Sequence, residues 1–314
     1  MNRNTKISKE LRSVEALIKR DFSKENTISG LYKYIFKSNG KKIRAKLCLT
    51  TSSRTKNKEK IKLASVIELL HTATLIHDDV VDESPTRRGI RSVNNVWTNE
   101  HGVLIGDYIY SKAFIYLVDI GNKKILKELA DTTNDIAQGE LVQLDAVNNV
   151  NITLNKLKKI SYFKTGRLFE AAAKTGAIIA NENKAFNYNV SECAKNLGIL
   201  FQIIDDLLDY SDSKKIGKPV FQDIKEGKVT YPFFYAYKNA NTREKKRLKD
   251  LLGVSRDLKS KDLELIKSLE GIKKTKQLAE KYHIKAIEYA KKIKNLDIRK
   301  EMIELADTAL NRDK

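Results

Sequence analysis

LIHDDVVDES at residues 75–84 decides how the rest of the chain is read, because IIDDLLDYS at residues 203–211 repeats it. Each copy is an apolar stretch, then Asp-Asp-apolar-apolar-Asp, then a loop. Upstream of the first copy, Ile61, Ala64, Ile67, Leu69, Leu70, Ala73 and Ile76 recur mostly at spacings of three and four, the inward stripe of a helix over 61–77. Residues 111–118, 151–180 and 190–210 carry the same period. With 14 Gly and 3 Pro in 314 residues, little interrupts a helix. The clearest loops are 84–86 and 211–219, and the pattern after Lys238 reads as shorter, strongly charged helices. There is no strand alternation and no βαβ punctuation, which argues against an α/β nucleotide fold. The expected fold is all-α, a single large helical bundle around a central cavity. With no Ser/Gly-rich linker in the sequence, one domain is expected over residues 1–314.

The repeated cluster is electrostatically unfavourable by itself. On a helix its first and fifth positions stack roughly 6 Å apart. At an effective dielectric of about 20, two carboxylates at that distance repel by roughly 3 kcal/mol, and the macrodipole at a helix C-terminus adds to this. A hard divalent cation offsets both, and Mg²⁺ held by one or two carboxylates plus substrate phosphates is the usual arrangement. One such cluster reads equally well as a solvated helix end. Two copies with one spacing, each leading into basic residues, point to metal-assisted diphosphate chemistry. The basic residues are Arg87 and Arg88 after the first copy, and Lys218 and Lys228 after the second. Lys41, Lys42 and Arg44 open an earlier helix, whose N-terminal N–H groups also suit an anion. Lys164 and Thr165 lie inside an otherwise apolar helix, where an unpaired ammonium would be costly.

Composition narrows the partners. The formal net charge is +20, but lysines are scattered along the whole chain with few aromatics between them. This is a solvated lysine-rich surface, and no nucleic acid is expected as a partner. Cys48 and Cys193 stand in no metal-like spacing and read as small buried hydrophobes in a reducing compartment. The first twenty residues lack the apolar core of a secretory signal, and no apolar run approaches the roughly 20 residues of a membrane span. A soluble, cytoplasmic protein is expected.

The chain resembles the trans-isoprenyl diphosphate synthases (polyprenyl synthetases), and within them the long-chain octaprenyl-type branch. The landmarks are GKKIR (40–44), IELLHTATLIHDDVVDESPTRRG (67–89), GDYIYSKAF (106–114), KTGRLFEAAA (164–173), FQIIDDLLDY (201–210) and EGKVTYP (226–232). The resemblance implies that Lys41, Arg44, His71 and Arg88 hold isopentenyl diphosphate. It implies that Arg87, Lys164, Thr165, Gln202, Lys218 and Lys228 hold an allylic diphosphate. Asp78, Asp82 and Asp205, assisted by Asp79, Asp206 and Asp209, would bind two or three Mg²⁺, and these aspartates with Lys164 would carry the catalysis. The implied reaction is ionisation of the allylic diphosphate, attack by the alkene of isopentenyl diphosphate and loss of a proton to the departing diphosphate. A homodimer is implied, with a transient membrane contact for product release.

On the helix before the first cluster, Leu70, Ala73 and Thr74 lie where the growing tail should pass. Small residues there leave it room, and one turn rises about 5.4 Å, on the order of one C5 unit. A product of about six to nine units (about C30–C45), suited to a quinone side chain, is the expectation, a range the helix rise does not narrow. Without the resemblance, Ala73 is a small residue where helices pack and His71 a core histidine. Two departures from the family pattern stand out. Ala45 follows Arg44 where proline is common, and Phe221 replaces a glycine before Gln222-Asp223. A short-chain (C15/C20) synthase and a non-catalytic subunit of a heteromeric synthase are the alternatives. A terpene cyclase would not need the 40–44 segment together with Arg88.

Overall fold

The computed structural model describes residues 3–20, 24–37, 40–210, 221–254 and 260–312. The protein is all-α. Among the described residues the only strands are two of two residues each, too short for alternation to mark them in sequence. The chain divides into two compact units, Met1–Thr133 with Ala171–Ser191, and Asn134–Glu170 with Glu192–Lys314.

The first unit contains α1 (Arg3–Arg20), α2 (Asn26–Ile35), α3 (Ile43–Thr51), α4 (Asn57–Val81), the hairpin β1 (Thr86–Arg87) and β2 (Ile90–Arg91), α5 (Val93–Val96) and α6 (Asn99–Ile120). It also takes the first part of α7 (Lys123–Leu144) and parts of α9 (Arg167–Ile179) and α10 (Lys184–Leu208). The predicted helix over 61–77 is the middle of α4, which packs against α1, α3 and α6. Leu63, Ile67, Leu70 and Ile109 are fully buried in this core, and each contributes about 1.5–3 kcal/mol. α6 approaches α4 closely because its contact positions are glycines. A Cβ on Gly102 would lie 2.6 Å from Val80 Cγ2, and one on Gly106 would lie 2.2 Å from His77 Nε2. The Thr98 side chain caps α6 at one end and Gly121, in left-handed backbone, ends it at the other. α1 is tied to α4 by a buried ion pair, Glu10 to Lys60 at 2.7 Å.

The second unit contains the rest of α7, α9 and α10, with α8 (Leu154–Ser161), α11 (Gln222–Lys225), α12 (Tyr231–Asn239), α13 (Thr242–Lys249), α14 (Ser260–Ser268), α15 (Gly271–Lys291) and α16 (Leu296–Leu310). α12 packs on α14 and α15, and α15 packs on α16. The expectation of short helices after Lys238 holds for α13 and α14 but not for α15, which runs 21 residues. The stretch 151–180 is not one helix. α8 and α9 are joined by a π turn, Tyr162–Gly166. Close approach surrounds that turn: a Cβ on Gly139 would sit 2.7 Å from Phe163 Cβ, and one on Gly166 3.1 Å from Ile199 Cγ1. The loop expected at 211–219 lies outside the described residues.

Candidate active site

In the first unit, α4 delivers the first aspartate cluster. The N–H of Asp82, the residue capping α4, donates to Asp78 O at 2.8 Å, so these two residues are one helical turn apart as their spacing predicts. Asp79 has a different role. It is buried, and its Oδ1 accepts from Arg87 Nε at 2.8 Å. Burial pushes its pKa up, and Arg87 opposes the shift. The hairpin makes this pairing, because Arg88 and Gly89 both have positive φ (53° and 78°), the two-residue turn that folds Arg87 back toward α4. Arg87, assigned to the allylic diphosphate by resemblance, is therefore engaged with Asp79 here. The Arg88 guanidinium lies over Gly40, where a Cβ would come within 2.5 Å of Nη1.

α3 begins at Ile43, after Lys42 in left-handed backbone (φ 47°). Lys41 is exposed just before it. Arg44 Nη1 lies 2.9 Å from His71 Nε2. Burial, then Arg44, Arg88 and Arg87, hold the His71 pKa well below its usual value. One N–H of the α3 N-terminus is already taken, since Ala45 N donates to Glu68 Oε1 at 3.1 Å. A pocket open to solvent adjoins this cluster, with Gly40, Lys42, Glu68, Asp79, Arg87 and Arg88 in its wall. Leu70 and Ala73 are fully buried, and half-buried Thr74 donates to His71 O at 2.8 Å.

In the second unit, the predicted Thr165, Gln202 and Asp206 form one hydrogen-bonded chain, and Lys164 is held separately by α7. Lys164, on the π turn, donates to Glu140 Oε2 at 2.9 Å and Gln143 Oε1 at 3.0 Å. Thr165 Oγ1 donates to Gln202 Oε1 at 2.6 Å, and Gln202 Nε2 donates to Asp206 Oδ1 at 2.8 Å. Asp206 is buried, and burial pushes its pKa up to about 7. Asp209 caps α11, accepting from Gln222 N at 2.9 Å and Asp223 N at 3.3 Å, and burial raises its pKa to about 6. Asp205 is exposed and pairs with Arg312 at 3.2 Å, whose guanidinium lies 4.4 Å from the centre of the Phe201 ring. Lys228 pairs with Glu226 at 2.7 Å. Lys218 lies outside the described residues.

Phe221 explains its own departure from the family pattern. Its φ is +62°, the left-handed region where glycine is free and other residues lose about 1–2 kcal/mol. Its ring is buried edge-on against Tyr210 at 5.7 Å, an apolar contact that offsets the cost.

The two clusters thus use their carboxylates unequally. Asp79, Asp206 and Asp209 are hydrogen-bonded within the protein. Asp78 and Asp82 stand one helical turn apart at the end of α4, and the exposed Asp205 accepts from Arg312. No group of three or more metal-ligating side chains is preformed among the described residues. The residues missed by sequence reasoning are Glu68, Glu140, Gln143 and Arg312, each defined by a partner distant in sequence. Asp223, half-buried with its pKa raised by desolvation, was legible only as part of a loop.

The chain matches the polyprenyl synthetase family over residues 25–269. It is 40% identical over 227 residues to the all-trans-nonaprenyl-diphosphate synthase (geranyl-diphosphate specific) of Rhodobacter capsulatus, covering 71% of this chain and 70% of that protein. It is 38% identical over 237 residues to the octaprenyl diphosphate synthase of Escherichia coli K12, covering 74% and 73%. The crystal structure of a polyprenyl synthase from Caulobacter crescentus, complexed with calcium and isoprenyl diphosphate, superimposes with a TM-score of 0.91 at 32% identity, covering 98% of this chain and 96% of that one. On its sequence, its helices and these likenesses, the chain belongs to the polyprenyl synthetase family and is a prenyltransferase.

Proposed function

We propose that this prenyltransferase is an all-trans-polyprenyl diphosphate synthase that condenses isopentenyl diphosphate repeatedly onto an allylic diphosphate. The product is of medium to long chain, about six to nine C5 units, a range that the helix rise does not narrow. The observation that carries the reading is the donor set. Each aspartate cluster has a cation beside it suited to a diphosphate, Arg87 on Asp79 in the first unit and Arg312 on Asp205 in the second. Octaprenyl and nonaprenyl synthases among the relatives support the product class. Arg44, His71, Arg88 and Lys41 take isopentenyl diphosphate. Lys164, Thr165, Gln202, Lys218, Lys228 and, once released from Asp79, Arg87 take the allylic diphosphate. Asp78, Asp82 and Asp205 hold Mg²⁺, two or three ions per site, which neutralise the leaving diphosphate when bound. Asp79, Asp206 and Asp209 fix the local backbone and side chains. No protein nucleophile is required, and catalysis is electrostatic stabilisation and positioning.

Residues 1–314 are read as one catalytic domain, because the boundaries between the units fall inside α7, α9 and α10 and not in a linker. The protein acts in the cytoplasm as a homodimer and touches a membrane transiently to release product for quinone side chains. No helix among the described residues is long and apolar enough to cross a membrane. The test is incorporation of labelled isopentenyl diphosphate onto C10, C15 and C20 primers, with Mg²⁺ and with EDTA. Asp78→Ala and Asp205→Ala should lower turnover by orders of magnitude with helicity unchanged. Near-normal turnover in either variant, or a wild-type product that stops at C15 or C20, would overturn the assignment.

A further inference from the structure

The first turn of α3 must present Arg44 in a defined direction, yet nothing in its own sequence fixes it. A helix start leaves several N–H groups without intrahelical acceptors, normally met by a Ser, Thr, Asp or Asn at the cap. Here the cap residue is Lys42, in left-handed backbone, with no side-chain cap. Its ammonium is paired with Glu15. The missing acceptor comes from another helix. Glu68 of α4, 8% exposed, accepts the Ala45 N–H at Oε1 over 3.1 Å. A carboxylate at a helix N-terminus is also favoured by the macrodipole. The donor exists because residue 45 is alanine; a proline there would have no N–H.

Glu68 and His71 are three residues apart on α4, so they lie on neighbouring parts of one face. His71 Nε2 meets the Arg44 guanidinium at 2.9 Å, while Glu68 takes the N–H of the next residue in the chain. α4 therefore grips the start of α3 at two points, one on the side chain of Arg44 and one on the backbone beside it. Arg44, Lys42 and Arg88 all interact electrostatically with the Glu68 carboxylate.

We infer that Glu68 is a positioning residue for the isopentenyl diphosphate site, aiming Arg44 by holding the Ala45 N–H. The inference rests on the proposed role of Arg44. What Glu68 contributes is reach: its carboxylate oxygen stands one hydrogen bond from the α3 backbone. Charge and reach separate in two conservative variants. Glu68→Gln loses the charge and keeps an oxygen at the same distance. Glu68→Asp keeps the charge and withdraws the oxygen by one methylene.

Steady-state kinetics on the full chain, with each substrate varied in turn, provides the test. Glu68→Asp should raise KM for isopentenyl diphosphate by about tenfold, the effect of one charge-assisted hydrogen bond. Its kcat and its KM for the allylic diphosphate should stay within about twofold of wild type. Glu68→Gln should keep all three values within about threefold. Thermal melts of both variants separate this pattern from loss of fold. The reverse order, with Gln worse than Asp, would mean that charge and not position matters, and equal rises in both KM values would mean a general structural role; either overturns the inference. Arg44→Ala is the control on the reading beneath it. If that variant leaves KM for isopentenyl diphosphate unchanged, the site assignment fails, whatever Glu68 does.

Discussion

Arginine has no acceptor atom, so the 2.9 Å contact between Arg44 and His71 fixes the imidazole as the acceptor at Nε2 and places its proton on Nδ1. The ring must then be neutral, in agreement with the downward push of burial and of Arg44, Arg88 and Arg87 on its pKa. In the unfolded chain the same histidine titrates near its usual value of 6.5. Below that pH the unfolded state binds a proton that the native state refuses. Stability from this group is therefore fully present above pH 6.5 and is lost as pH falls toward the depressed native pKa, by about 1.4 kcal/mol per pH unit. His71→Gln, which keeps an acceptor but cannot titrate, should remove that slope between about pH 5 and 6 in urea unfolding. An unchanged slope would show that the charged ring is tolerated. Spacing alone made the aspartate clusters legible at this scale. It could not separate Asp78 from Asp79, because that difference arises from the hairpin carrying Arg87 back to α4. Nor could it find Glu68, whose partner Ala45 is 23 residues away.

Helices were the most legible elements, since a stripe at spacings of three and four is a local signal. α4, α6 and α10 appear where the pattern puts them, and the repeated clusters sit at the ends of α4 and α10. The π turn at Lys164 was not legible. It inserts no residue type that announces it, and the tight contacts at Gly139 and Gly166 come from other helices. Product length is also an element-scale question. Ala73 is wholly buried on α4, with Leu70 buried one turn before it. If the growing tail passes this face, Ala73→Phe should shorten the product to roughly three or four C5 units, one turn of about 5.4 Å being on the order of one unit. If Ala73 only lets helices pack, the same change should leave product length alone and lower stability by about 1–3 kcal/mol through overpacking. Product chromatography alongside a thermal melt reads both.

At the scale of the molecule, the helical period of the apolar residues, with few glycines and prolines to interrupt it, pointed to the all-α class; composition alone did not. It did not show the exposed apolar residues Leu104, Ile115 and Val118, which recur along α6 at spacings that keep them on one side. Such a stripe on an otherwise lysine-rich surface is the support for the proposed homodimer. Ile115→Glu with Val118→Glu should convert a two-chain species to a single chain in sedimentation velocity; an unchanged mass would place the interface elsewhere. The buried pair Lys60–Glu10 bears on a different matter, how much of the gene a minimal clone must contain. The stretch by which the family is recognised begins at residue 25, after α1 has ended, and stops at 269, before α15 begins. A clone cut to that stretch would discard Glu10 together with the helix that covers Lys60, losing both the ion pair and the packing of α1 on α4. It would also strip Val14 and Ile18 from their packing. What suffices to identify the family is thus shorter than what suffices to hold this protein together.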